Sequence, residues 1–400
     1  MASKEWLESI LARAKTALNK PSPYGVDIDI TPFLNVGVED KKVGGSIDLS
    51  RAEEVGVNLN ANALYLQVDQ KYFQYLSRIP GVEVMRIEDF IDQRPDEARE
   101  YFWKLLDPAT DKYTALAALK GRGGYYVRVK KGVKVEEPIM ACLYMSYGGL
   151  QAPHNIVIVE DGAEATVYTG CTIAPEVLGL HVGISEFYVG RNAKLRFVMV
   201  HAWNKVAHVR PRTVVSVEEG GEYITYYANM SRVRTLQTYP KVYLKSGAKT
   251  KMVSILLGLG DSHIDVGEEV KILGEDAGAE LIIRALARDE SRIIMRSRVV
   301  GKGNSRGHIE CSGLMLSDKA YVQTIPELIA LDPNVSLTHE ASIGRLAEDE
   351  INYLVSKGFT RDEAVSVLVR GFATVEIENI PEKVKNYIKS VENVLAGKAL

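Results

Sequence analysis

Tyr125-Tyr126-Val127-Arg128-Val129-Lys130-Lys131-Gly132-Val133-Lys134-Val135-Glu136 alternates apolar and polar side chains. A period of two marks a strand whose two faces meet different surroundings. The same texture continues to about Ile329, broken by a recurring turn in which a Gly or Asn precedes a small residue and a new alternating run. The turn recurs at Gly162-Ala163, Asn192-Ala193, Gly220-Gly221, Gly247-Ala248 and Gly278-Ala279, at spacings of 27 to 31 residues. A near-constant period argues for stacked coils of similar size. No helical pattern interrupts the runs, which excludes a sheet built from strand–helix–strand units. The spacing predicts a mainly β protein, a parallel β-helix or closely related β-solenoid. An antiparallel sandwich with fortuitous turn spacing is the alternative.

Outward from this core the pattern is helical. Leu7, Ile10, Leu11, Ala14 and Leu18 recur at i, i+3, i+4 and i+7, and Pro21 and Pro23 stop that helix. Residues 24–70 are mixed and rich in Gly and Asn. A second helical zone covers residues 87–119 and breaks at Gly121 to Gly124. After about Ser336 helices return. Ile351, Leu354 and Val355 form a stripe stopped by Lys357-Gly358, Thr360 with Glu363 makes a capping box, and Pro381 opens a last helix. The expected organisation is a helical and mixed region at 1–122, the β-helix core at 123–335 and a helical region at 336–400.

Composition bounds the function. The 400 residues carry 49 Lys and Arg against 52 Asp and Glu, a net charge of −3. A phosphate-backbone binder would show a basic excess or stripe, so no nucleic-acid partner is expected. Mean hydropathy is −0.07, and the longest strongly apolar stretch, around residues 252–260, is too short to span a bilayer. No membrane partner is expected. The first residues show no apolar targeting segment, and three cysteines are too few for a disulfide framework, so a reducing cytoplasm is the expected location.

Several chemistries lack their motifs. No Gly-x-x-x-x-Gly-Lys-Ser/Thr is present, so the chain is not itself a P-loop ATPase. Gly301-Lys-Gly303 and Gly258-Leu-Gly260 do not complete a dinucleotide fingerprint. Neither Cys-x-x-Cys nor His-Glu-x-x-His occurs, so no zinc site is encoded locally. A row of acids and bases along one coil face, as a polysaccharide-acting β-helix enzyme needs, is absent too.

What remains is a small set of cysteines and histidines. Cys311 lies in a strand-like run, and His339-Glu340 follows about one coil period later. Stacking would bring a thiol, an imidazole and a carboxylate together, a donor set for iron or zinc. The plainer alternative makes Cys311 a small buried apolar residue and His339-Glu340 a helix start. One period after Cys171 come His201 and Trp203, which share a strand face and are either core or a functional pair.

The motifs in order identify a family. Tyr126-Val-Arg-Val-Lys-Lys-Gly-Val-Lys-Val-Glu-Glu-Pro-Ile139, Asn155-Ile-Val-Ile-Val-Glu-Asp-Gly-Ala163, Gly170-Cys-Thr172, Gly307-His-Ile-Glu-Cys311, Leu337-Thr-His-Glu-Ala-Ser-Ile-Gly344, Glu350-Ile-Asn-Tyr-Leu354, Lys357-Gly-Phe359 and Arg370-Gly-Phe372 resemble the SufB/SufD family of iron–sulfur cluster assembly proteins. The resemblance covers about two thirds of the chain. It implies a right-handed parallel β-helix with helical ends, pairing through the β-helices, and a SufC-type ABC ATPase bound by the C-terminal helices. It further implies that Cys171 accepts sulfur from a cysteine desulfurase or other donor, that His201 and Trp203 lie in the sulfur passage, and that Cys311, His339 and Glu340 supply metal ligands at the pairing face.

SufB carries Gln where this chain has His201. The presence of Cys171 and Cys311, as in SufB, together with a histidine at 339, as in SufD, suggests a homodimer supplying both halves. The expected function is a non-enzymatic scaffold that builds and transfers a nascent iron–sulfur cluster. The alternative is a SufD-like accessory that docks the ATPase and aids iron entry. A flavin has been associated with the family, and no motif here indicates one.

Overall fold

The computed structural model describes residues 5–34, 50–375 and 382–399; Pro381 lies outside them. Its core is a parallel β-solenoid of two sheets. In one sheet the strands Ala63–Val68, Ile139–Met145, Glu164–Ile173, Lys194–Ala202, Glu222–Asn229, Lys249–Gly258, Gly278–Ala287, Arg306–Met315 and Ser336–Gly344 follow one another in parallel register. In the facing sheet early coils use two short strands, such as Gly179–His181 and Ile184–Val189. From His263–Ile272 onward each coil uses one long strand, which spans both Thr235–Thr238 and Lys241–Leu244 of the coil before. Pro211 and Pro240 lie in the breaks between short strands, as expected of a residue with no N–H to give to a ladder.

The recurring turn is a stack of left-handed residues. Gly132, Gly162, Asn192, Gly220, Gly247 and Asp276 all have φ between 51° and 70°. Gly162, Asn192, Gly220 and Gly247 each donate the backbone N–H to a carbonyl of the next turn. The fifth turn is therefore centred on Asp276, not on Gly278, which begins the following strand. Aspartate is among the few non-glycine residues that tolerate this conformation, and here Asp276 accepts from the Asn304 side chain of the next turn at 2.8 Å.

Parallel strands run past the expected 123–335 core at both ends. Ala63–Val68 is buried on both faces, so it shows no alternation to read. Ser336–Gly344 is a strand rather than the start of the helical region, and helices resume only at Glu348–Ser356. The first coil is closed by Tyr72–Ser77 and Val82–Arg86, which pair antiparallel with it. Among the described residues nothing pairs beyond Tyr321–Ala330 and Ser336–Gly344. This end leaves Tyr321, Ile325, Leu328 and Ile343 exposed.

Helices cover the outer faces. Ile87–Gln93 and Pro95–Tyr101 pack on one sheet through Ile87, Phe90 and Ala98. The buried carboxylate of Glu186 fastens the loop that follows them, accepting from the backbone N–H groups of Trp103, Leu105 and Leu106. Arg361–Ala373 and Glu382–Ala399 lie on the other sheet, with Val369, Ala373 and Ile388 in one buried apolar cluster with outward side chains of its strands, Ile282, Leu286 and Leu314 among them. The Thr360–Glu363 capping box is present.

Gly124 shows how tightly the first coil closes. Its φ is +106°, and an added methyl would lie 2.1–2.5 Å from the backbone of His154. Gly124→Ala should lower stability by at least about 4 kcal/mol. Gly132→Ala, at φ +70° with nothing within 4 Å of the new methyl, should lose only about 1–2 kcal/mol. Chemical unfolding of the two variants checks the contrast.

Candidate functional site

Cys171 is completely buried on the inward face of its strand, between Leu143 and His201 on the neighbouring coils. Burial pushes its thiol well above the ordinary range. His201 is also fully buried, and burial holds it far below its usual pKa, so the ring is neutral. Its Nδ1 lies 2.9 Å from the Tyr227 hydroxyl. With Tyr227 donating to Nδ1, the ring proton sits on Nε2. That atom and the indole Nε1 of Trp203 are buried without a hydrogen-bond partner among the described residues. His181, 5.0 Å from the Trp203 ring, is pushed down to about 3 by burial and meets Gln151 through Nδ1 at 2.9 Å.

A row of buried polar side chains continues from here toward the open end. Tyr227 stands two residues before Asn229, the register partner of His201. The register partner of Tyr227 is Ser254, whose hydroxyl donates to Glu268 at 2.6 Å. Glu268 is register partner to Ser297, and the Ser297 Oγ lies 3.8 Å from the Cys311 Sγ. The row therefore reads Cys171, His201, Tyr227, Ser254, Glu268, Ser297, Cys311. Near its midpoint is a cavity of about 40 Å³, lined by Tyr227, Ser254 and Glu268 together with Thr213, Thr225, Thr238 and apolar side chains. Burial pushes Glu268 up to about 7, and its Oε2 has no partner among the described residues.

Cys311 is buried, and burial raises its thiol pKa. The Ser297 hydroxyl beside it pulls it partly back, and the charge of Glu268 opposes that. The coil that follows is 30 residues long at this point, so Ala341 rather than His339 stands opposite Cys311. His339 faces Ile309, on the same strand face as Cys311, with Nε2 buried and unpartnered among the described residues. Glu340 is exposed beside Glu310, on the opposite face, where Glu310 meets Arg284 at 2.6 Å. Thus one chain brings Cys311 and His339 onto one face and turns Glu340 away, because alternation separates neighbours. No group of three or more His, Cys, Asp or Glu among the described residues is arranged to hold a metal.

The family model described as SUF system FeS cluster assembly, SufBD core domain, matches residues 143–372, more than half of the chain. The chain belongs to the SufBD family. An iron–sulfur cluster assembly SufBD family protein of Archaeoglobus fulgidus is 42% identical over 347 residues, 86% of this chain and 94% of that protein. One from Methanothermobacter thermautotrophicus is 35% identical over 398 residues, 94% of this chain and 95% of that protein. The iron–sulfur cluster assembly protein SufB of Bacillus subtilis is 28% identical over 311 residues, 75% of this chain and 66% of that protein.

The SufBD core of this chain holds polar interior residues that motif reading passed over. Glu268 shares the inward phase of Ile264, Val266 and Val270, and Ser297 that of Ile293, Met295 and Val299. A carboxylate on the apolar phase of a strand was the available signal. Cys142, the remaining cysteine of this SufBD chain, faces outward into the layer beneath the helices, away from Cys171.

Proposed function

We propose that this SufBD chain is a cluster-assembly scaffold and not itself an enzyme. In this reading sulfur enters at Cys171 and is used at Cys311, where a nascent iron–sulfur cluster forms as cargo. The observation that carries it is the buried polar row joining two buried thiols on one interior face, the second of them near the uncovered end of the solenoid. The unpartnered N–H groups of His201 and Trp203 suit the terminal sulfur of a persulfide on Cys171, which accepts such donors.

The open end suits a second copy. Its exposed apolar side chains and unpaired strand edges are a pairing surface, and two-fold symmetry doubles every ligand. A lone chain offers Cys311 and His339; a pair offers two of each, with Glu340 of each copy at the rim. No helix among the described residues is long and apolar enough to cross a membrane, and cytoplasmic assembly is part of the reading.

A cysteine desulfurase or other persulfide donor should label Cys171. The Cys171→Ser variant should take up less than about a tenth of the wild-type labelled sulfur, while Cys311→Ser and Cys142→Ser label normally. Equal labelling of Cys171→Ser would show the acceptor to be wrong.

The ATP hydrolysis that such assembly uses is assigned to a SufC-type ABC ATPase. The C-terminal helices and the turn between the first two of them expose Tyr353, Val355, Phe359 and Val367, which suits a docked partner. Because Val369 and Ala373 also cover the sheet, deleting these helices would strip the core. The cleaner test is Tyr353→Asp with Phe359→Asp. The double variant should lose ATPase co-purification while its thermal unfolding stays unchanged.

A further inference from the structure

Cys171 and Cys311 stand on the same sheet, separated by five steps from one strand to the next. At about 4.8 Å per step the sulfurs are roughly 24 Å apart. Handing a persulfide from thiol to thiol requires the two sulfurs to touch, since the new S–S bond forms as the old one breaks. Both cysteines are fully buried in strands that are paired on both sides, so neither can cross that distance. The chain has three cysteines, and Cys142 faces the opposite side of the sheet. No thiol relay links entry to destination.

The row between them also selects against a charged traveller. It holds one carboxylate, Glu268, and no cation, and its imidazole is neutral. A sulfur anion there would be desolvated with no cation to offset its charge. A neutral molecule of about the size of water avoids that cost. The cavity beside Tyr227, Ser254 and Glu268 offers hydroxyl and carboxyl groups to such a molecule. Its volume of about 40 Å³ exceeds the roughly 10–15 Å³ that one water needs by this kind of measure. It is too small for a thiol carrier.

We propose that sulfur crosses the coil interior as hydrogen sulfide and pauses in the cavity formed by Tyr227, Ser254 and Glu268. This rests on Cys171 as entry and Cys311 as destination. Release from Cys171 uses two equivalents of a small thiol. Because Cys171 is fully buried, the local opening of the fold that admits the sulfur donor must also admit this thiol. The first thiol attacks the inner sulfur of the persulfide. The S–S bond breaks, the outer sulfur leaves as hydrosulfide and takes the thiol's proton, and a mixed disulfide remains on Cys171. The second thiol resolves that disulfide, restoring the Cys171 thiol and leaving the small disulfide. One sulfane sulfur gains two electrons and two thiols lose them.

The test uses the full-length protein, anaerobic, with radiolabelled persulfide on Cys171, ferrous iron and an excess of unlabelled sodium sulfide in solution. On addition of dithiothreitol, the wild type should place labelled acid-labile sulfide in the cluster despite the unlabelled excess, because the label travels inside. Ser254→Leu, which fills the cavity, should label normally at Cys171 and lose that internal delivery by more than tenfold, building its cluster from unlabelled sulfide. Two results overturn the proposal alone: label reaching Cys311 as persulfide in wild type without any thiol, or Ser254→Leu delivering label as wild type does. The first needs no variant and so stands even if Ser254→Leu does not fold. Failure of wild-type Cys171 to label overturns the parent reading, and this one with it.

Discussion

Cys311→Ser should leave protein purified without oxygen with less than about a tenth of the wild-type iron and acid-labile sulfide. A buried thiol resists ionisation, and bound iron reverses that preference, so ligand and metal stabilise each other. Serine keeps the volume and loses the soft donor. Losing even a supporting partner of a metal ligand lowers affinity by about 10- to 100-fold, and loss of the thiolate itself should do more. His339→Ala should have a smaller effect, since it removes an imidazole on the same face as Cys311 but one residue pair away. Glu340→Ala should do least, because Glu340 is exposed on the other face. Pairing of the chains, measured by light scattering, should survive all three. Wild-type iron and sulfide in Cys311→Ser would remove the site and favour the accessory reading.

Glu268→Gln should make the protein more stable at pH 8 and leave it unchanged at pH 4. In the unfolded chain the carboxyl titrates near 4.5, and in the fold burial moves it to about 7. Between those values the folded state holds a proton that the unfolded state has released. Stability therefore falls as pH rises through this window, and the whole penalty is present above it. The difference is on the order of 3 kcal/mol at pH 8. Glutamine keeps a hydrogen bond with Ser254 and carries no charge. The buried histidines act in the opposite direction, since His181 and His201 stay neutral in the fold and cost stability as pH falls below about 6.5. They are common to both proteins and cancel in the comparison. Thermal unfolding at pH 4, 6 and 8 reads the effect, and equal melting of the two proteins at pH 8 would mean that Glu268 bears no penalty there.

The gain at pH 8 should come without faster assembly, because the carboxyl lines the cavity midway between the cysteines. A buried acid whose Oε2 has no partner among the described residues is a poor stabiliser, and such a group is a candidate for use. The same logic applies to the unpartnered nitrogens of His201 and Trp203.

Periodicity pointed to the solenoid, and the parallel register of the strands excluded the antiparallel sandwich that pattern alone had left open. The alternation from Tyr125 and the turns at Gly162, Asn192, Gly220 and Gly247 are local signals, because a strand face and a left-handed turn residue each impose their own chemistry on the chain. The motifs around Cys171, Cys311 and His339 likewise stood in the linear order that marks the family. Tertiary structure alone decided which residues meet. A slip of two residues in coil length put Ala341 opposite Cys311 in place of His339, and strand alternation sent Glu340 outward. No local pattern records the length of a coil to that accuracy. Glu268 and Ser254 touch across 14 residues from facing sheets, so their pairing exists only once the coil closes. The roughly 24 Å between the thiols is likewise a count of stacked strands. The sequence names the donors, and the register of the stack sets the distances between them.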